Sequence, residues 1–126
     1  MSVDFDASEL NTLVGRLDES ARAAMPQAEA VVKRGALNVK NQARDLISGL
    51  AHAPHYPRSI SYDVEVGVLG VEAEIGPDKD RMQGALGNIL EYGTANNAPF
   101  PHLGPALDRE APRFMENIER IVRDVL

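Results

Sequence analysis

The chain has no cysteine, which excludes disulfide bridges, thiolate-bound zinc or iron–sulfur centres and a cysteine nucleophile. It has no tryptophan and only three tyrosines and three phenylalanines. The core must therefore be built from Leu, Val, Ile and Ala, and few rings are left to stack on sugars or bases. Long apolar runs are missing as well, since none approaches the roughly 20 residues needed to cross a bilayer. The opening Met1-Ser2-Val3-Asp4-Phe5-Asp6 is acidic, with neither a positive nor an apolar leader region. Neither secretion nor membrane insertion is expected. Positive charge is in short supply: 13 Lys and Arg against 19 Asp and Glu give a formal charge of −6, which opposes general binding to a phosphate backbone.

What is present fits one folded domain spanning 1–126. A chain of 126 residues with 44% apolar and 25% charged residues can bury a single core and leaves little room for a second domain. Charge is unevenly distributed. Between Val31 and Tyr62 the chain carries Lys33, Arg34, Lys40, Arg44 and Arg58 against only Asp45, and the flanking segments are acidic. Opposite charges on one molecule suit head-to-tail contact between identical copies and suit a lone soluble monomer equally well.

Residues 1–50 read as helical. Asp6 is placed as an N-cap, Glu9 completes a capping box, and Phe5 can staple onto Leu10. Leu10, Leu13, Val14, Leu17 and Ala21 recur at helical spacing to about Ala23. Pro26 either begins a second helix or lies within one continuous helix. Beyond it, Ala28, Val31, Val32, Gly35, Val39, Ala43, Leu46, Ile47 and Leu50 form an apolar stripe, with Lys33, Lys40 and Arg44 on a polar side. Gly35 weakens the helix by about 1 kcal/mol relative to Ala and is either a place where another element comes close or simply a tolerated weakness. Periodicity ends near Gly49. Ala53-Pro54-His55-Tyr56-Pro57-Arg58 is a loop, because two prolines forbid helix there.

Residues 59–76 read as a β-hairpin. Ile60, Tyr62, Val64, Val66 and Val68 alternate with Ser61, Asp63 and Glu65, and after a reversal at Leu69-Gly70 the residues Val71, Ala73 and Ile75 alternate with Glu72 and Glu74. One side is apolar and available to helices; the other is wet and acidic. Gly76-Pro77-Asp78-Lys79-Asp80 is a turn. In 82–126, Ala85, Leu86, Ile89 and Leu90 have helical spacing, while Asn88 to Tyr92 also fits a strand, and Gly93 ends either element. Ala98 to His102 is extended with Phe100 as its anchor, and Gly104-Pro105 opens a last helix with proline at its first position. That helix is expected to bury Ala106, Leu107, Ala111, Phe114, Ile118, Ile121, Val122 and Val125, with a kink or break at Pro112. The fold class expected is α+β, helices packed on one face of a small antiparallel sheet.

Residues with chemical potential are few. His52, His55 and His102 suggest a metal site only if the chain gathers them; the simpler reading is of loop histidines in water. Glu65, Glu72 and Glu74 are expected as neighbours on a solvated sheet face. Ser59 and Ser61 lie in no nucleophile-elbow sequence, and no phosphate-binding glycine loop occurs. No catalytic residue, cofactor or metal is assigned. The basic helix residues Lys33, Arg34, Lys40 and Arg44 are a solvated face, a protein contact or a contact to nucleic-acid phosphates, although no helix-turn-helix or zinc pattern accompanies them, and they are the candidate subunit interface.

The run Ile89-Leu90-Glu91-Tyr92-Gly93-Thr94, then Ala98-Pro99-Phe100-Pro101, then Gly104-Pro105-Ala106-Leu107 resembles the signature of a tail-component family of long-tailed bacteriophages and prophages, the tail-completion or head–tail joining proteins. The resemblance extends to the layout upstream: a long helical region, a loop and paired strands ending at Gly76-Pro77. It implies a virion protein of the neck or tail, present in the host cytoplasm during assembly, that forms a ring with itself, often six-fold. The ring would lie between the head connector and the tail tube or tail terminator, with DNA passing through unbound. The resemblance further implies that Glu91, Tyr92, Gly93 and Thr94 shape a turn, that Phe100, after Pro99 of the same motif, locks the crossover into the core, and that Pro105 starts the helix continuing through Ala106 and Leu107. Segments Ala51 to Arg58 and Pro77 to Met82 are candidates to become ordered on contact with neighbours. Two rivals stand beside this reading: a host-directed protein-binding module using the basic helix face, and a compact hydrolase.

Overall fold

A computed structural model describes the backbone over residues 7–68 and 70–125, and side chains over the same residues except 7–14 and 17. The side chains of the expected cap and staple at Phe5, Asp6, Glu9 and Leu10, and of the stripe at Leu10, Leu13, Val14 and Leu17, lie outside those described. The order of elements is α1 (Ala7–Leu46), β1 (Ile60–Gly67), β2 (Gly70–Pro77), α2 (Gly87–Tyr92) and α3 (Leu103–Val125), with 3-10 turns at Tyr56–Ser59 and Gly84–Leu86. The fold is α+β. The two strands form one antiparallel sheet with register Tyr62↔Ile75, Val64↔Ala73 and Val66↔Val71.

Pro26 neither starts nor ends a helix, because α1 runs through it unbroken. Proline in a helix interior costs about 3 kcal/mol through a lost hydrogen bond and a ring clash. The continuous apolar stripe C-terminal to it offsets that cost. Val32, Ala36, Val39, Ala43 and Ile47 recur every three or four positions and all are buried. Leu46, expected in the stripe, is 39% exposed. α3 likewise continues through Pro112.

α1 packs along α3 and against both strands. Of the two readings of Gly35, close approach is the one observed: a Cβ there would lie 3.2 Å from Cδ2 of Phe114 on α3. The close approach of the two helices depends on that missing methyl group. Farther along the same seam, Asn38 Nδ2 donates to Oε1 of Glu110 at 3.0 Å, and Glu110 is buried to 3% exposure. Its Oε2 has no hydrogen-bond partner and lies 3.7 Å from Arg113.

The core gathers Val39, Ala43 and Ile47 from α1, Ala53 and Tyr56 from the connection, Ile60 from β1 and Ala106 from α3. Ala53 to Ser59 is therefore an element of the core, not a loose loop. Tyr56 and Ile60 have no exposed surface, and burying side chains of this size contributes roughly 1.5–3 kcal/mol each. This corrects the expectation that Ala51 to Arg58 waits for a partner to order it. The second such candidate, Pro77 to Met82, forms a turn closed by Asp78 N–H to Ser59 O at 2.8 Å and Arg81 N–H to Asp78 O at 3.1 Å.

The hairpin is covered at its base and bare at its end. Ile60 is buried and Tyr62 and Val64 are half-buried, whereas Val66 and Val68 are 55% and 104% exposed. The alternation of sequence assigned all five to one covered face. The strands outrun the helix that covers them.

Candidate functional site

The motif from Glu91 to Leu107 is a crossover between α2 and α3. The ambiguous stretch 88–92 is helical, and Gly93 ends it at φ 74°, a conformation that β-carbons resist. A Cβ there would also sit 2.7 Å from Asn97 O and 2.8 Å from Pro99 N, so only glycine lets the chain double back. Thr94 and Asn97 close the tight loop by mutual backbone bonds at 2.9 and 3.3 Å. Phe100 N–H then donates to Leu90 O, 2.6 Å away, returning the strand-like segment to α2.

The side chain that anchors this crossover is His102, not Phe100. Phe100 is 51% exposed, while His102 has no exposed surface. The imidazole Nδ1 lies 2.9 Å from Phe100 O and 3.3 Å from Glu91 Oε1, and both are acceptors. These partners assign the proton to Nδ1. Nε2 is then an acceptor, and the Tyr56 hydroxyl donates to it at 2.8 Å. Burial, with the Glu91 carboxylate nearby, pushes the Tyr56 phenol up to about 12, so this hydroxyl keeps its proton at neutral pH. The reading of all three histidines as exposed loop residues holds for His52 and His55 and fails for His102.

Glu91 has a second task. Its carboxylate accepts from the backbone N–H of His102 at 3.2 and 3.3 Å, of Leu103 at 2.7 Å and of Gly104 at 3.5 Å. The first N–H groups of a helix have no partner within the helix, and an anion at that end is favoured by the helix dipole. Here the next residue, Pro105, has no N–H, and Ala106 N–H makes the first helical bond, to His102 O at 3.1 Å. Every donor of the first turn is thus accounted for. α3 begins at Leu103, two residues before the proline that was expected to open it. Pro105 lies inside the first turn, where a missing N–H is cheap. Ala106 is fully buried; Leu107, expected to be buried with it, is 55% exposed, as Val122 is at 48%. Tyr92 is 78% exposed and Pro99 is exposed.

A carboxylate, an imidazole and a hydroxyl in series have the composition of a relay that activates a nucleophile. In this chain the imidazole and the phenol are sealed in the core, and the series joins three separated segments, Tyr56, Glu91 and His102. Among the described residues no group of three His, Asp or Glu side chains is arranged to hold a metal ion, and no helix is long and apolar enough to cross a membrane.

The four basic residues of α1 do not act as one free patch. Arg44 reaches across to β1, its Nε and Nη2 donating to Ile60 O at 3.0 and 2.6 Å. Lys40 holds its Nζ 5.6 Å from the ring centre of Tyr62, a cation–π distance. Lys33 is exposed and pairs with Glu29 at 2.9 Å, and Arg34 is exposed. Two of the four therefore strap the hairpin to α1, leaving Lys33 and Arg34 facing solvent.

Sequence reasoning missed the Tyr56–His102–Glu91 series, the cap on α3 and the Asn38–Glu110 pair. These contacts join residues 11 to 72 positions apart, which no periodicity reveals. The chain matches no family model, no curated protein and no solved structure.

Proposed function

We propose that the chain is a structural subunit of a phage neck, a head–tail joining or tail-completion protein that assembles with copies of itself into a ring between head connector and tail tube. The observation that carries this reading is the hairpin, held rigidly at its base by Arg44 and Lys40 while its far end presents Val66 and Val68 to solvent. An apolar surface that its own chain leaves bare favours a contact with another protein. The motif from Glu91 to Leu107, which resembles that family, supplies the identity of the assembly. In this reading Glu91, Gly93 and Pro105 set the crossover, and the subunit works by contact rather than by turnover. DNA passes through the ring unbound, as a net charge of −6 favours.

The rival reading, a host-directed module using the basic face of α1, has less to draw on, because Lys40 and Arg44 are engaged with the hairpin. Deleting the gene from the phage or prophage that encodes it and imaging the particles by electron microscopy tests the proposal. Filled heads separated from tails are expected. Joined, infectious particles would overturn it.

A further inference from the structure

Among the described residues the sheet consists of β1 and β2 alone, so each strand has an outer edge. The register fixes which backbone groups face outward. Asp78 N–H bonds to Ser59 O, and successive residue pairs of an antiparallel ladder are bonded and unbonded in turn. Alternation from that bond makes Ser61↔Gly76, Asp63↔Glu74 and Glu65↔Glu72 the bonded pairs, whereas Ile60↔Pro77, Tyr62↔Ile75, Val64↔Ala73 and Val66↔Val71 turn their backbone groups away from each other. Two observations agree with this phase. Pro77 has no N–H to give to Ile60, and the Ile60 carbonyl is met from outside the pair by the Arg44 guanidinium at 3.0 and 2.6 Å. Beyond Ile60, no described group bonds to the outward N–H and C=O of Tyr62, Val64 and Val66.

A strand added at this edge would lie beside both faces of β1 at once. On one face are Val64, half-buried, and Val66, 55% exposed. On the other are Asp63 and Glu65, both exposed and each directly opposite another carboxylate, Glu74 and Glu72. Like charges placed directly across a strand pair destabilise it, and no Lys or Arg occurs between Ile60 and Pro77 to offset them. A helix or a flat surface can cover one of these faces but not the other. An extended segment reaches both, and the side chains that suit it are apolar next to Val64 and Val66 and cationic next to Asp63 and Glu65. Of the two edges, that of β1 bears the greater apolar exposure, since Val71 on β2 is half-buried.

We infer that the open edge of β1, from Tyr62 to Val66, accepts an extended segment of a neighbouring protein as a third strand, one in which lysine or arginine alternates with apolar residues. This rests on the hairpin as a contact surface of the proposed neck subunit and gives the chemistry of the adjoining protein it meets. Charge selects the occupant. The strands of a second copy carry Asp63, Glu65, Glu72 and Glu74 and no cation, so pairing two hairpins edge to edge would lay carboxylates beside carboxylates. Charged side chains on an edge strand protect it in this way against its own copies. The extended stretch from Ala98 to Pro101 has no charged residue and two prolines, which unsuits it as well.

The test uses the full-length chain and a capped peptide alternating lysine with valine over about seven residues, a usual strand length. Amide hydrogen exchange followed by NMR should show the N–H groups of Tyr62, Val64 and Val66 slowed at least about tenfold by the peptide, with those of Val71, Ala73 and Ile75 unchanged. A peptide of the same composition with its lysines in one block should bind several-fold more weakly, as should one alternating glutamate with valine. Methylating one alternate set of the peptide's amides should abolish binding while methylating the other set leaves it, a pattern that charge attraction alone does not give. Asp63→Lys together with Glu65→Lys, both at exposed positions, should transfer the preference to the glutamate–valine peptide. No slowing at the β1 edge, slowing at the β2 edge instead, equal binding of the block peptide, the same effect from both methylated sets, or an unchanged preference in the lysine variant would each overturn the inference. If particles need the protein for joining but the peptide leaves these amides exchanging freely, the strand partner falls and the neck role stands. If the peptide pairs with β1 but particles join without the protein, the reverse holds.

Discussion

Removing the Glu91 carboxylate should loosen the fold at the start of α3. Glu91→Ala strips the first turn of α3 of its acceptor at Leu103 N–H, 2.7 Å away, and of the shared bond to His102 N–H at 3.2 and 3.3 Å. A hydrogen bond to a charged group contributes about 1.5–3 kcal/mol, and an anion at a helix start adds about 0.3–1 kcal/mol. The Gly104 bond at 3.5 Å is long and adds little. The expected loss for Glu91→Ala is therefore about 3 kcal/mol, from a total that for a domain of this size is about 5–15 kcal/mol. Glu91→Gln keeps an acceptor oxygen and loses the charge, so about 1 kcal/mol is expected. Urea unfolding followed by circular dichroism reads both as a shift in midpoint at unchanged slope. Tyr92→Ala, next in sequence and 78% exposed, serves as the control and should stay within about 0.5 kcal/mol of wild type. A Glu91→Ala shift no larger than that control, or a Gln variant as damaged as the Ala variant, would refute the capping role.

Further outcomes follow from the same contacts. The Tyr56 phenol is raised from 10 to about 12 in the folded chain, so its contribution is complete below pH 10 and is lost as pH rises toward 12. Across that window wild type should lose roughly 3 kcal/mol more stability than Tyr56→Phe; parallel pH profiles for the two proteins, measured by urea unfolding, would contradict this. Arg44→Ala should cost about 2 kcal/mol by leaving Ile60 O without its guanidinium donors, and Arg44→Lys should recover only part, because an ammonium cannot reproduce the fork. Thermal unfolding of the three proteins checks the order.

The parts of this fold that were legible in the sequence are those governed by periodicity. The stripe from Val32 to Ile47 and the existence of the hairpin follow from spacing and residue type, whereas the pairing of Val66 with Val71 puts the reversal between Gly67 and Gly70, one residue before the Leu69-Gly70 expected, and the close approach at Gly35 is one of two readings the sequence left open. Where periodicity was silent or shared, the reading went astray. Phe100 is the larger apolar group and was taken as the anchor, but the adjacent prolines hold it outward while His102, able to bond at both ring nitrogens, enters the core. Tyr56 stands between two prolines, a context that signals loop, yet a 3-10 turn at that point carries its ring inside. Alternation along β1 revealed which residues share a face but not how far α1 reaches along it, so Val66 and Val68 were expected to be covered. Lys40 and Arg44 looked free because their partners, Tyr62 and Ile60 O, lie on the next element. At the candidate interface, composition marked the charges and geometry determined which of them remain available.

The claim on which the function rests is that the chain forms a ring at the head–tail junction. Electron cryomicroscopy of intact particles of the phage or prophage that the proposal implies tests this directly. A ring of density between head connector and tail tube, into which α1, the hairpin and α3 fit as a repeating unit, is the result expected. A fully resolved neck with no density for this chain would contradict it.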